Sequence, residues 1–105
     1  FEWHHHRPIA EKAGLAADVI DAIAEGRRPA EMAADEAVIY DFIDELSRAR
    51  SVSDATYKRA VEAFGERGVI DMIGIHGYYS LLAMVLNVSR APLPEGAKPG
   101  IDPLP

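Results

Sequence analysis

The chain has 105 residues, 49% of them hydrophobic, which fits one small domain with a single core. Its formal charge of −6, from 17 acidic and 11 basic residues, disfavours DNA or RNA as a partner. The absence of cysteine excludes disulfides, thiolate nucleophiles and cysteine-ligated metal centres, and it suits a reducing compartment. We therefore expect a cytoplasmic protein.

The first predicted helix runs from Glu2 to Lys12, and Gly14 follows it as a helix-ending glycine. Pro8 lies inside this segment, and proline removes a helical amide donor and clashes with the preceding turn. Two outcomes stay open. The helix is kinked near His4 or His5, or a first helix stops before Arg7 and a second begins with Pro8 at its first position.

Three further segments have helical periodicity before residue 69. The first spans Leu15 to Ala24, with Val19, Ile20 and Ile23 on one apolar side, and ends at Gly26. The second opens at Asp35 or the alanines before it, with an apolar stripe at spacing four. The third has Ser53 as its N-cap and Asp54 at the positive end of its dipole, and Gly65 or Gly68 marks its end. The stripe of the second segment consists of Val38, Phe42 and Leu46.

The last predicted helix, from about Val69 to Asn87, is apolar on nearly every face. The apolar run nearly reaches membrane-spanning length, but it carries Asp71, His76 and Asn87, so we expect a buried helix and no membrane. Such a helix needs cover from its own domain and from another subunit. We predict an all-α bundle of about five helices over residues 1–88 and a Pro/Gly-rich extended tail over residues 89–105.

The densest group of chemically active residues lies at the start of the chain. Glu2 and His6 are four residues apart, so on a helix they share a face. A carboxylate that holds an imidazole forms a general acid/base unit, although the same pair also occurs on ordinary helix surfaces. Trp3 either forms the floor of an apolar pocket beside this pair or packs in the core.

The triplet His4, His5 and His6 invites a metal-site hypothesis. Consecutive helical side chains point about 100° apart, which prevents the three rings from converging on one ion. We therefore predict no specific metal site and no cofactor.

His76 lies in the most apolar helix, with the pair Tyr78 and Tyr79 just after it. One interpretation is a core histidine satisfied by a hydrogen bond, and the other is a donor on a pocket wall. Tyr79 has the same two interpretations as Trp3, as part of an apolar pocket or as part of the core.

Several ordered blocks over residues 1–94 resemble the carboxymuconolactone decarboxylase-like family, the superfamily that includes alkylhydroperoxidase D. The blocks are FEWHxHxxxAxxxGL, VIDAI, VSDATY, GERGVIDMIG, YY, LNV and PLP. The resemblance implies an all-helical subunit that assembles into trimers or hexamers. It also implies that the N-terminal part of the family subunit is missing here.

Within this resemblance, His6, Ala10 and Gly14 match the peroxidase-branch motif, and Glu2 stands where that motif has its second cysteine. The thiol peroxidase route is therefore excluded. In the decarboxylase branch, a Glu-x-x-x-His arrangement resembles Glu2 and His6, which implies that His6 is the acid/base group and Glu2 its orienting partner. Arg7 is then the nearest candidate to bind a substrate carboxylate.

Two hypotheses follow for the function. The first is a cofactor-independent lyase that acts on a small lactone or organic acid, with Glu2 and His6 as catalytic residues and with Trp3, Arg7, His76 and Tyr79 around the substrate. The second is a non-catalytic oligomer or small-ligand binder that has lost the redox cysteines. Both predict a homo-oligomer and a small-molecule ligand.

Overall fold

The computed structural model describes residues 1–102 and is all-helical over them. Its helices are α1 (Glu2–Lys12), α2 (Ala17–Ala24), α3 (Ala34–Ala49) and α4 (Asp54–Val88). The chain divides into two compact units, which are described separately. One unit holds residues 1–31 and the chain from Leu82 onward, and the other is Met32–Leu81. The predicted all-α class is confirmed.

In the first unit, α1 is one helix with Pro8 inside it, so the alternative of two short helices is wrong. Its end has the hydrogen bonds of a Schellman motif. Gly14 has a φ of 91°, its amide donates to the Glu11 carbonyl, and the Leu15 amide donates to the Ala10 carbonyl. Gly14 therefore ends the helix as predicted.

Helix α2 supplies most of the buried side chains of the first unit. Val19, Ile20 and Ala22 are buried, whereas Ile23 lies on the outer side of the helix and is 42% exposed. Gly26 ends the helix with a φ of 72°, and Pro29 is fully buried just after it. The sequence predicted the helix and its end, but it placed Ile23 on the buried side.

The second unit has its core between α3 and α4. Phe42, Ala60 and Val69 are buried there, and half-buried apolar side chains pack around them: Val38, Ile43, Leu46, Val52, Val61 and Met72. The period-four stripe of α3 therefore faces this core as predicted. The contribution of Ala60 was missed, because alanine is too small to stand out in an apolar pattern.

The backbone of α4 leaves the helical conformation at Gly65, which has φ 72° and ψ 171°. That conformation is open to glycine and strained for other residues. Gly65 is one of the two glycines at which the sequence predicts a helix to end, and because the helix resumes directly after it, α4 counts as one of four helices over the described residues. By length and composition alone α4 could cross a membrane, and a single such helix is weak evidence for one.

The start of α4 is held by Glu45 on α3. The Ser53 amide donates to Glu45 Oε1, and the Thr56 hydroxyl donates to Glu45 Oε2 at 2.6 Å. The Thr56 amide donates in turn to Ser53 Oγ at 3.3 Å, which makes Ser53 the N-cap as predicted. Hydrogen bonds from Thr56 and Ser53 hold the pKa of Glu45 below its usual range.

Glu45→Gln is expected to lower the unfolding free energy at neutral pH, because the amide replaces a charged acceptor of two hydrogen bonds. A lowered pKa in the folded state means that the ionised carboxylate stabilises the fold above its unfolded pKa, about 4.3, and that this contribution disappears as the pH falls further. Urea titrations at several pH values should therefore show the difference from wild type shrinking in acid.

The matched control is Asp44→Asn, since within residues 1–102 the Asp44 side chain forms a surface ion pair with Arg48, whose side chain is 78% exposed. Such pairs contribute little. A pH-independent effect of Glu45→Gln, or an equal effect of Asp44→Asn, would contradict the role assigned to Glu45.

Candidate functional site

Four of the predicted site residues lie together on the first two turns of α1: Glu2, Trp3, His6 and Arg7. Glu2 and His6 do meet, as the spacing predicts. The contact, however, joins His6 Nδ1 to the main-chain carbonyl oxygen of Glu2 at 3.0 Å. The sequence predicted the carboxylate as the partner.

This contact defines which ring nitrogen of His6 is basic. A carbonyl oxygen can only accept a hydrogen bond, so Nδ1 must carry the proton. Nε2 then holds the lone pair in the neutral ring. The main-chain oxygen of Glu2 can therefore orient the His6 ring, a role that the sequence assigns to the Glu2 carboxylate.

The other two histidines of the triplet pack against neighbouring rings. His5 lies 4.5 Å from the Phe1 ring, and His4 meets His5 edge to face at 5.6 Å. Within residues 1–102 no three His, Asp or Glu side chains are grouped to hold a metal ion.

Arg7 joins α1 to α2. Its Nε donates to Glu11 Oε1 at 3.0 Å, and its Nη2 donates to Asp21 Oδ1 at 2.9 Å. The hydrogen bonds to Asp21 and Glu11 raise the pKa of Arg7 further above its ordinary value. A substrate carboxylate would have to displace one of these two partners.

Trp3 is half-buried between Arg7 and the tail. The Arg7 guanidinium lies 6.0 Å from the centre of the indole ring, within reach of a cation–π interaction. On the other side the main chain at Gly100 comes so close that a β-carbon there would lie 2.8 Å from Trp3 Cδ1 and Nε1. The tail therefore covers part of the indole, and Trp3 Nε1 is buried without a hydrogen-bond partner among the described residues.

The added methyl group of Gly100→Ala overlaps the Trp3 indole, and accommodating such an overlap in a packed site costs about 1–3 kcal/mol. We therefore expect the tail to move away from the indole. Trp3 is the only tryptophan, so its fluorescence reports this contact directly. The expected result is a red-shifted emission that acrylamide quenches more strongly. Gly74→Ala is the control, because its added methyl group meets no atom within 4 Å. Unchanged emission in Gly100→Ala would contradict the packing.

His76 and Tyr79 lie on α4 in Met32–Leu81, the unit that does not contain α1. His76 is half-buried, and its Nε2 lies 3.2 Å from Ser47 Oγ. Ser47 donates its own proton to the Ile43 carbonyl oxygen at 2.7 Å, so Nε2 of His76 must be the donor to Ser47. This agrees with a hydrogen-bonded structural histidine, and His76 in this arrangement cannot act as a base toward Ser47.

Tyr79 is 41% exposed and meets Tyr78 edge to face, with ring centres 5.4 Å apart. Such pairs add stability beyond the burial of their area. The contact is compatible with either interpretation of Tyr79.

The described structure defines an all-helical protein with a histidine-bearing N-terminal helix. No family model matches the sequence, and no curated protein or solved structure matches it either. The family assignment therefore rests on the motif resemblance alone.

Proposed function

We propose that this protein is a cofactor-independent acid/base lyase of the carboxymuconolactone decarboxylase-like kind, acting on a small lactone or organic acid. The observation that supports it is the 3.0 Å contact between His6 Nδ1 and the Glu2 carbonyl oxygen. A positioned imidazole with a defined basic nitrogen is the minimum that acid/base catalysis requires.

In the proposed reaction, the bond between the substrate carbon and its carboxylate breaks, and carbon dioxide leaves. The electron pair stays on the substrate as a dienolate, to which the protonated His6 ring donates through Nε2. Trp3 provides an apolar surface beside the site. Arg7 would bind a substrate carboxylate only by exchanging it for Asp21 or Glu11.

Wild-type protein is screened against small unsaturated lactone acids. Conversion is detected as release of carbon dioxide and as loss of substrate absorbance. Turnover that is unaffected by a metal chelator is the expected result. No conversion of any substrate in the panel, together with retention of a ligand unchanged, would favour the second candidate function.

That second candidate is a non-catalytic oligomer or small-ligand binder. It is favoured by the large apolar side chains of α4 that are exposed within Met32–Leu81, among them Ile75 (60%), Tyr78 (58%) and Leu81 (54%). Apolar side chains grouped on a surface usually mark a contact with another molecule.

We infer that the protein is a homo-oligomer, trimeric or hexameric, whichever function it has. Light scattering coupled to size exclusion should give a mass of several times 11.5 kDa. Leu81→Glu should shift the mass toward one chain, because it adds a charge to the exposed apolar surface of α4. A wild-type mass of one chain would contradict the inference.

A further inference from the structure

The unit Met32–Leu81 contains a surface cavity, open to solvent, that the proposed lyase function does not use. Its volume is about 570 Å³, within the range of small-molecule sites. The wall is mostly apolar and comes from α3, the α3–α4 connection and both sides of the Gly65 break. Its side chains include Phe42, Leu46, Val52 and Ile70.

Two charged residues line this cavity, Arg50 and Glu66. Neither side chain makes a hydrogen bond or ion pair with any residue in the described part of the chain. By contrast, the nearby Arg48 and Arg59 pair with Asp44 and Asp41. An arginine without a carboxylate partner beside an apolar cavity is suited to bind the acid group of a ligand.

Arg50 has an unusual backbone conformation. Arg50 ends α3 in the left-handed conformation, with φ 58° and ψ 21°, and its amide donates to the Leu46 carbonyl oxygen at 2.8 Å. Glycine is the usual residue at such a position because any β-carbon is strained there. Glycine can therefore replace Arg50 without any change of the backbone conformation.

We propose that this cavity binds a small monocarboxylic acid with an apolar body. The ligand carboxylate pairs with Arg50, and its hydrocarbon part lies against Leu46, Val52 and Ile70. The carboxylate of Glu66 repels a second acidic group, so the ligand carries only one negative charge. The site is separate from His6 and goes beyond the lyase function.

The probes are octanoate, octylamine and octanol, titrated by calorimetry into the full chain. Octanoate is expected to bind saturably in the millimolar range or tighter, octanol more weakly, and octylamine not at all. Suberate, the dicarboxylate of the same length, should bind more weakly than octanoate. Preferred binding of octylamine would mean that Glu66 selects an ammonium ligand and would overturn the proposal.

Arg50→Gly separates binding from folding. It relieves the left-handed strain, so the Tm is expected to rise, while octanoate affinity falls by at least about tenfold because the charge-assisted hydrogen bonds are lost. Arg48→Gln on the same helix should leave octanoate affinity unchanged. Equal octanoate affinity in wild type and Arg50→Gly, or no saturable octanoate binding in wild type, would overturn the proposal.

Discussion

His6→Gln is expected to lower kcat for decarboxylation by at least about 100-fold, the usual contribution of a positioned acid/base group. Glutamine keeps a polar side chain of similar reach but cannot deliver the proton to the dienolate. His6 is exposed on α1, so the variant should keep the circular dichroism spectrum and thermal unfolding of wild type. Steady-state rates with the substrate that the screen identifies provide the measurement.

Glu2→Gln is the matched control, and the structure makes its outcome informative. His6 contacts the main-chain oxygen of Glu2, which the substitution leaves in place. We therefore expect kcat within about threefold of wild type, well below the effect of losing an acid/base group. A loss as large as that of His6→Gln would show that the Glu2 carboxylate takes part directly, as the sequence alone had suggested.

The second large effect is on stability. Phe42 is 1% exposed and packs with Ala60 and Val69 in the core of Met32–Leu81. Phe42→Ala removes most of a buried ring and leaves a cavity, and such changes cost about 3–5 kcal/mol. Since small domains have only about 5–15 kcal/mol in total, the variant should be close to unfolding at 37 °C.

Urea denaturation followed by circular dichroism, at a fixed protein concentration, measures this loss. Ile39→Ala lies on the same helix with a side chain 40% exposed, and we expect it to cost less than about 1.5 kcal/mol. Equal losses of unfolding free energy in Phe42→Ala and Ile39→Ala would contradict the burial of the Phe42 stripe in this core.

The helices could be predicted from the sequence because their signals are local. The spacing of Val38, Phe42 and Leu46, the cap at Ser53 and the glycine at Gly14 each report a nearby backbone conformation. The exposure of Ile23 was not predictable in this way. Which side of a short amphipathic helix is covered depends on residues far away in the chain.

The candidate site was predictable as a set of residues on one helix, but its atomic contacts were not. Spacing of four brings Glu2 and His6 together without revealing whether the backbone or the carboxylate is the partner. Arg7 is engaged by Asp21, which is 14 residues away, and His76 by Ser47, which is 29 residues away. No periodicity encodes such contacts.

Arg50 and its cavity were also missed. A single arginine after a helix is an ordinary surface residue in the sequence. Its left-handed backbone and its position at the cavity appear only once α3 and α4 are packed. The sequence carries one weak signal, which is that a predicted helix ends at an arginine where glycine is usual.

The ring tautomers of His6 and His76 can be measured without a substrate, and the tautomer of His6 tests whether its ring is held as the acid/base group. Long-range nitrogen–carbon correlation spectra of the imidazole rings, recorded at a pH where the rings are neutral, distinguish a proton on Nδ1 from one on Nε2. We expect His6 and His76 to have opposite tautomers. His6 carries the proton on Nδ1 and donates to the Glu2 carbonyl oxygen, whereas His76 carries it on Nε2 and donates to Ser47. A proton on Nε2 of His6 would mean that Nδ1 does not donate to Glu2 and that His6 is not held as the proposed acid/base group.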